Sequence, residues 1–133
     1  MLSDTLIVIP ARLESMRLPN KPLKLIHGKP MIFWVASKIK KAGICDYLVA
    51  TDSVQIKNVC KNYGLNVTLT SPHCNTGTDR VAEVANQFSY SYYCNVQGDE
   101  PLINVNGVRK FIEQGKLCQG TFVQAVTQLR GLN

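Results

Sequence analysis

The chain has 133 residues, 45% of them hydrophobic, and a formal net charge of +6. This length and apolar content fit one folded domain (residues 1–133) and exclude a disordered chain, and no stretch approaches the ~20 apolar residues of a membrane span. Five cysteines that are never spaced as C-x-x-C, with no basic and small-residue pattern of a signal peptide, predict a cytoplasmic protein with reduced thiols.

Strands and helices are predicted to alternate along the chain. The apolar run Leu6–Ile9, ended by Pro10, is typical of a strand that is buried on both faces of a parallel sheet. Further strands are predicted at residues 47–50, 67–69, 92–96 and 121–126. Helical spacing of apolar residues predicts helices over 31–43, 53–64, 76–88 and 108–115. The alternation predicts an α/β fold with a mostly parallel sheet and flanking helices.

Capping signals mark several helix ends. Thr76 and Asp79 have the spacing of a capping box. Asp52 and Ser53 both stand where the N-cap of the second helix belongs, and we expect Asp52 to act as a cap rather than as a ligand. Gly115 is expected to end the last helix.

A long basic segment follows the first strand. Between residues 12 and 29 there is no apolar period, and prolines oppose a helix. Five cations lie in this segment against a single acid: Arg12, Arg17, Lys21, Lys24 and Lys29. A basic loop at the carboxyl end of a buried strand suits an anionic ligand such as a polyphosphate, although a solvated surface loop has the same composition. No aromatic residues interleave with these cations, so no nucleic-acid partner is expected.

Other polar segments are predicted to reach the same edge of the sheet. Asp52 follows the second strand, residues 71–80 follow the third, and Gln97–Pro101 follows the fourth. Cations together with carboxylates around one crevice suit metal-assisted handling of a nucleoside triphosphate. The chain has no G-x-G-x-x-G after its first strand and no Walker A loop, which argues against a dinucleotide cofactor and a P-loop.

Five segments together resemble one enzyme family. These are IPARLESMRLPNKPL (9–23), GKPMI (28–32), VATD (49–52), TSPHCNTGTDRVAEV (70–84) and NVQGDEPLI (95–103). In order and spacing they resemble the 3-deoxy-manno-octulosonate cytidylyltransferases, also called CMP-Kdo synthetases. The related acylneuraminate cytidylyltransferases share the I-P-A-R start but usually lack the later segments together.

The resemblance implies a fold, a reaction and a cofactor. It implies a Rossmann-like nucleotidyltransferase sheet and transfer of CMP from CTP to 3-deoxy-D-manno-octulosonate, an acidic eight-carbon sugar, with release of pyrophosphate. The product serves lipopolysaccharide biosynthesis, Mg2+ is required, and the full-length family enzyme is a homodimer. We expect no insertion of the protein into a membrane.

The resemblance also assigns catalytic roles. Arg12 and Lys21 would contact the triphosphate and offset charge that grows on the departing pyrophosphate. Arg17 would help to close the loop over the nucleotide, and Asp99 would be a metal ligand. The alternatives are that Lys21 is a solvated loop lysine and that Asp99 caps the helix that follows it.

The remaining roles concern the nucleoside. Pro10 and Ala11 would lie against the base through backbone groups, and Thr78 and Arg80 would line the cytidine side. Gln97 would lie at the junction of sugar and nucleotide. The alternative for Arg80 is an ordinary first-turn helix pair with the preceding aspartate.

Family members continue for about as many residues again beyond the matched part. The resemblance implies that their second half supplies much of the sugar pocket, the dimer contacts and a second acidic metal ligand. Two hypotheses therefore stay open: a working cytidylyltransferase, or a fragment or remnant that binds CTP without turning it over.

Overall fold

The computed structural model describes residues 2–12, 21–74, 76–96, 104–117 and 122–123. Within these ranges the strands are β1 (Leu2–Pro10), β2 (Leu25–Ile26), β3 (Lys29–Pro30), β4 (Cys45–Thr51), β5 (Val67–Leu69), β6 (Tyr92–Asn95) and β7 (Phe122–Val123). The helices are α1 (Met31–Ala42), α2 (Val54–Asn62), α3 (Gly77–Gln87) and α4 (Val105–Leu117).

The main sheet has five strands in the order β5-β4-β1-β6-β7, and every described pairing in it is parallel. Each connection between successive strands of this sheet contains one of the four α-helices. The chain first builds outward from β1 through β4 to β5 and then returns to the other side of β1 with β6. The strand order therefore reverses between β1 and β6, which is the place where open α/β sheets bind their ligands.

Strand β1 is buried on both faces, as its apolar run predicts. Ile7 and Ile9 belong to a core that is closed by α1, α2 and α4. Leu6 and Val8 point to the other face and belong to a second core, closed by α3 through Val81 and its neighbours. Because side chains alternate along a strand, one continuous apolar run supplies both cores.

The capping signals predict most helix ends correctly. Helix α1 ends where Gly43 adopts a left-handed conformation with φ 60°, which glycine accepts without steric strain. The Thr76 side chain accepts a hydrogen bond of 3.0 Å from the Asp79 amide at the start of α3. The prediction for Gly115 is wrong, because α4 continues through it to Leu117. A single helical glycine has only a small energetic cost that packing of the helix overrides.

The described part of the basic segment after residue 20 contains short regular elements. Residues Lys21–Leu23 form a 3-10 helix, and β2 pairs with β3 in a short hairpin. The two hairpin turn residues, His27 and Gly28, have φ values of 50° and 80°, as tight primed turns require. The Trp34 indole of α1 donates a hydrogen bond of 2.7 Å to the Ile26 carbonyl and so ties the hairpin to α1. None of the described helices has the length and apolar character needed to cross a membrane.

Candidate active site

Parallel strands end side by side at one edge of the sheet, here called the carboxyl edge. Just beyond the strand ends, backbone hydrogen bonds keep the chain segments in register. Three of these bonds run from Ala11 to Ala50 (2.9 Å), from Thr70 to Thr51 (2.8 Å) and from Val96 to Val8 (2.9 Å). The segments that leave β1, β4, β5 and β6 are therefore close neighbours, as their predicted order along one edge requires.

A cavity of about 70 Å³ lies at this edge. It is lined by the residues that follow β1 and by the start of α3: Pro10, Ala11, Arg12, Thr76, Gly77 and Arg80. Two of these six residues are arginines and none is acidic. Their charge favours a ligand that brings negative charge or carbonyl oxygens into the cavity.

Arg80 is the most unusual residue of the site because its side chain is only 2% exposed. Its Nη1 donates a hydrogen bond of 2.5 Å to Oγ1 of Thr70. Its Nη2 lies 4.0 Å from Oδ2 of Asp52, a carboxylate that is 27% exposed. A buried guanidinium is retained only where such partners offset its loss of hydration. The described partners of the Arg80 guanidinium are thus Thr70 and Asp52, in place of the first-turn pair with Asp79 that was the alternative.

The start of α3 adds partial positive charge to the same cavity. Thr76 caps this helix, and Gly77 is its first residue. The unpaired amides at a helix start carry a partial positive charge that favours anionic ligands. The helix terminus and the two arginines therefore act in the same electrostatic direction.

The expectation that Asp52 caps α2 is wrong. The cap is Ser53, whose hydroxyl accepts a hydrogen bond of 3.2 Å from the Ile56 amide. The Ser53 amide in turn donates to the Thr51 hydroxyl at 3.1 Å. A serine that already satisfies the helix start leaves the Asp52 carboxylate available to face Arg80.

Glu83 fixes the loop that precedes α3. One carboxylate oxygen accepts a hydrogen bond of 2.8 Å from the Ser71 amide. The other lies 3.8 Å from the Cys74 sulfur, which donates to it. Burial raises the pKa of Cys74, the charge of Arg80 opposes this rise, and Glu83 adds to it. A raised pKa disfavours the thiolate form, which argues against Cys74 as a nucleophile.

Cys94 is also excluded as a nucleophile. It lies in β6 and is fully buried. Burial raises its pKa to about 12. Its assignment to the core, predicted from the strand around it, is confirmed.

The structure brings four predicted site residues together around one cavity: Pro10, Ala11, Arg12 and Arg80. Thr78 lies in the first turn of α3. Lys21 begins the 3-10 helix of the basic segment. Three further predicted site residues, Arg17, Gln97 and Asp99, lie outside the described residues.

Lys29, one of the five cations of the basic segment, lies against aromatic rings. The Lys29 ammonium lies 4.6 Å from the centre of the Phe33 ring and 5.9 Å from that of Trp34. Such cation–π contacts place Lys29 against α1 and stabilise the hairpin. Lys29 thus has aromatic neighbours in α1, and the suitability of the five cations for an anionic ligand stays a prediction.

In the part of the chain that the structure describes, no group of three or more His, Cys, Asp or Glu residues could hold a metal ion. The predicted metal ligand Asp99 lies outside that part. Its carboxylate is the hard oxygen donor that Mg2+ prefers, so the predicted residue type fits the ion.

Sequence patterns alone missed the role of Thr70. It is a buried polar residue directly after β5, and it hydrogen-bonds an arginine ten positions later. Its position inside the quoted segment 70–84 was the available signal. No local pattern indicates that its hydroxyl faces Arg80, because that contact depends on how α3 packs over the sheet.

Comparison with known proteins shows the family to which this chain is similar. The sequence matches the model of a protein family described as Cytidylyltransferase over residues 6–130. The 3-deoxy-manno-octulosonate cytidylyltransferase of Psychrobacter cryohalolentis is 52% identical over an alignment of 103 residues, and the match covers 74% of this chain and 38% of that relative. The 3-deoxy-manno-octulosonate cytidylyltransferase 2 of Hydrogenovibrio crunogenus is 42% identical over an alignment of 135 residues, and the match covers 97% of this chain and 54% of that relative.

A solved structure is also similar. It is described as CMP:2-keto-3-deoxy-manno-octonic acid synthetase complexed with CTP, with a TM-score of 0.81 and 38% identity. The similarity covers 86% of this chain and 48% of that chain. The chain thus spans about half of the solved structure, and between 38% and 54% of the two curated relatives.

Proposed function

The chain belongs to the cytidylyltransferase family, whose model matches most of its length, and on that premise we propose that its carboxyl edge binds CTP. We further propose that the protein transfers CMP from CTP to 3-deoxy-D-manno-octulosonate and releases pyrophosphate, a reaction of lipopolysaccharide biosynthesis. The observation that carries the proposal is the cavity where Arg12, Arg80 and the start of α3 converge. It lies beside β1, at the point where the strand order reverses.

The backbone beside the cavity suits cytosine better than uracil. Pro10 has no N–H, and the Ala11 N–H already donates to the Ala50 carbonyl. Any backbone recognition by Pro10 and Ala11 therefore uses carbonyl oxygens, which accept hydrogen bonds. Cytosine offers an exocyclic amino group to such acceptors, whereas uracil presents a carbonyl oxygen there. We expect CTP to bind more tightly than UTP.

Different side chains are proposed to contact different parts of the nucleotide. Arg12 and Lys21 would bind triphosphate oxygens, while Arg80 and Thr78 would contact the cytidine side. Arg17 would cover the nucleotide, and Gln97 would lie between nucleotide and sugar. These roles are proposals that the shared lining of Pro10, Ala11, Arg12 and Arg80 supports.

The proposed reaction is an in-line displacement at the α-phosphorus. The anomeric oxygen of the sugar forms a new bond to phosphorus while the bond to the bridging oxygen of pyrophosphate breaks. The hydroxyl proton passes to solvent. Arg12 and Lys21 would stabilise negative charge that accumulates on the departing oxygens. No covalent enzyme intermediate is proposed, so positioning and charge supply the rate enhancement.

Asp99 would hold Mg2+ in this proposal. When bound, the ion supplies Lewis-acid neutralisation of phosphate charge. An acidic eight-carbon sugar is the proposed second substrate. A homodimer is proposed for the full-length enzyme, by resemblance alone.

A second candidate function is CTP binding without turnover. It requires only the nucleotide cavity, which lies within the 38% to 54% of the two curated relatives that this chain spans. The two candidates share the nucleotide site and differ in chemistry.

Two measurements on the same protein test both. Calorimetry with CTP, UTP and ATP in the presence of Mg2+ should show CTP as the tightest ligand. Pyrophosphate release with CTP, Mg2+ and the sugar acid should exceed release without the sugar. Binding without such release would leave the second candidate, and no CTP binding would refute both.

A further inference from the structure

We propose that Thr70 and Asp52 are positioning residues that hold the Arg80 guanidinium in place at the nucleotide cavity. This inference rests on the proposed nucleotide site, because it assigns Arg80 a ligand-facing role there. Neither residue lines the cavity. Both would act on the ligand through Arg80.

Thr70 supplies the closer contact. It is 8% exposed and follows β5 directly. Its amide is bound to the Thr51 carbonyl at 2.8 Å, so its backbone is fixed to the neighbouring strand. Its hydroxyl oxygen accepts the hydrogen bond of 2.5 Å from Nη1 of Arg80. A β-branched side chain with little χ1 freedom thus gives that bond a fixed direction.

Asp52 supplies the charge partner from the adjacent strand end. Strands β4 and β5 are parallel neighbours with Thr51 opposite Leu69, so Asp52 and Thr70 leave the sheet side by side. The Asp52 carboxylate lies 4.0 Å from Nη2. Because Ser53 is the N-cap of α2, the Asp52 carboxylate does not cap that helix.

The two contacts engage different nitrogens of one planar group. Nη1 is bound by Thr70 and Nη2 faces Asp52. Two contacts to a rigid fork define the plane as well as the position of the guanidinium. An arginine with many rotamers is thereby ordered before a ligand arrives, which lowers the entropic cost of binding.

The side chain of Arg80 also has little room to choose another orientation. It is 2% exposed and rises from the first turns of α3, whose apolar residues Val81 and Val84 are fully buried against the sheet. Arg80 therefore reaches the cavity from inside the fold. A small change at Thr70 should alter the direction of its donors more than it alters the fold.

The main test uses an isosteric pair of variants. Thr70→Val keeps the side-chain shape and removes the hydroxyl, whereas Thr70→Ser keeps the hydroxyl. Thr68→Val is the matched control because it makes the same exchange inside β5, two residues before Thr70. CTP affinity is measured by calorimetry, and urea unfolding confirms that each variant is folded.

We expect Thr70→Val to weaken CTP binding about tenfold, which is the effect of one hydrogen bond to a charged group. Thr70→Ser and Thr68→Val should bind CTP within about twofold of the wild type. Inorganic tripolyphosphate, which lacks the cytidine moiety, should bind all four proteins alike. Unchanged CTP affinity in Thr70→Val, or failure of Thr70→Ser to restore it, would overturn the proposal.

A second measurement does not depend on a ligand. In the free protein, NMR of the Arg80 guanidinium should show restricted rotation of the Nη groups in the wild type and in Thr70→Ser. Rotation should be faster in Thr70→Val and in Asp52→Asn. Equal rotation in all of them would refute the positioning role. Absence of CTP binding by a wild type that shows restricted rotation would instead refute the proposed function alone.

Discussion

The two ends of strand β4 carry the same residue type in opposite chemical settings. At the amino end, Asp46 accepts a hydrogen bond of 2.6 Å from the Tyr90 hydroxyl. At the carboxyl end, Asp52 faces the buried guanidinium of Arg80 at 4.0 Å. Asp46 thus contacts the segment that follows α3, and Asp52 faces α3 itself, but only the carboxyl end places a cationic partner at a cavity.

The cavity at the amino end of β4 is larger than the cavity at its carboxyl end. The one near Asp46 has about 400 Å³, and the one near Arg80 has about 70 Å³. The larger cavity is lined mainly by apolar and aromatic residues: Leu6, Asp46, Tyr47, Leu48, Asn66, Val67, Phe88 and Tyr90. None of these residues is basic. Charge and the ends of strands therefore identify the candidate site, and cavity size does not.

The hydroxyl groups of Tyr90 and Tyr93, near Asp46, make hydrogen bonds within the fold. Tyr93 donates to the Phe88 carbonyl at 3.0 Å and accepts from the Tyr90 amide at 3.1 Å. The rings of Tyr90 and Tyr93 pack edge to face. These contacts tie the end of α3 to β6. The comparison thus separates a structural edge from a ligand-binding edge, and the variants below test that separation.

The largest expected effect is at Arg80. Arg80→Lys should weaken CTP binding about thirtyfold, because an ammonium cannot replace two donors of a planar fork. Calorimetry on a variant whose urea unfolding remains cooperative measures this loss. A variant that binds CTP like the wild type would remove Arg80 from the site.

Asp99→Asn should weaken Mn2+ binding by at least about tenfold, because a hard cation loses a carboxylate ligand. Electron paramagnetic resonance of free Mn2+ in the presence of CTP measures it. Glu113→Gln, an exposed residue of α4, is the control and should leave Mn2+ binding unchanged. Equal effects of both substitutions would contradict a metal site at the carboxyl edge.

Lys21→Ala should weaken binding of both CTP and tripolyphosphate by about fivefold to tenfold, since one cation facing the phosphates is lost. The matched control is Lys41→Ala, an exposed lysine in the last turn of α1, near the other edge of the sheet. It should change both affinities less than twofold. Similar losses in both variants would indicate general attraction to a basic protein instead of a site.

Tyr90→Phe should leave CTP affinity unchanged and lower the free energy of unfolding by about 1–2 kcal/mol, because a hydrogen bond to a carboxylate is lost. That bond, together with burial and the charge of Asp46, raises the pKa of Tyr90 to about 12 from an ordinary value of 10.0.

The pH dependence of this bond has a definite sign. Because the folded-state pKa lies above the unfolded value, its contribution is complete below pH 10 and declines as the pH rises toward 12. Urea unfolding at pH 8 and pH 11 should therefore show a smaller difference between wild type and variant at the higher pH. A difference that grows with pH, or a loss of CTP binding, would contradict the assignment of this edge to the fold.

Much of the fold follows from local sequence patterns. The five strands of the main sheet and the four helices appear in the predicted order, and β5 occupies the predicted residues 67–69. The hairpin in the basic segment was not predicted, because its strands have two residues each and offer no period to detect. The prediction that Gly115 ends α4 was wrong because the small cost of a helical glycine does not stop a helix that packing stabilises.

Local sequence patterns predict the alternation of elements, most caps, and the residue types that suit a nucleotide site. These depend on contacts within a few residues, such as Thr76 with Asp79, or on apolar periodicity. The contacts of Arg80 with Thr70 and Asp52, and of Lys29 with Phe33, are visible only in the folded chain. Those contacts depend on the order of strands in the sheet and on the packing of α3 and the hairpin. Strand order and packing arise from pairings between distant segments, which no local pattern specifies.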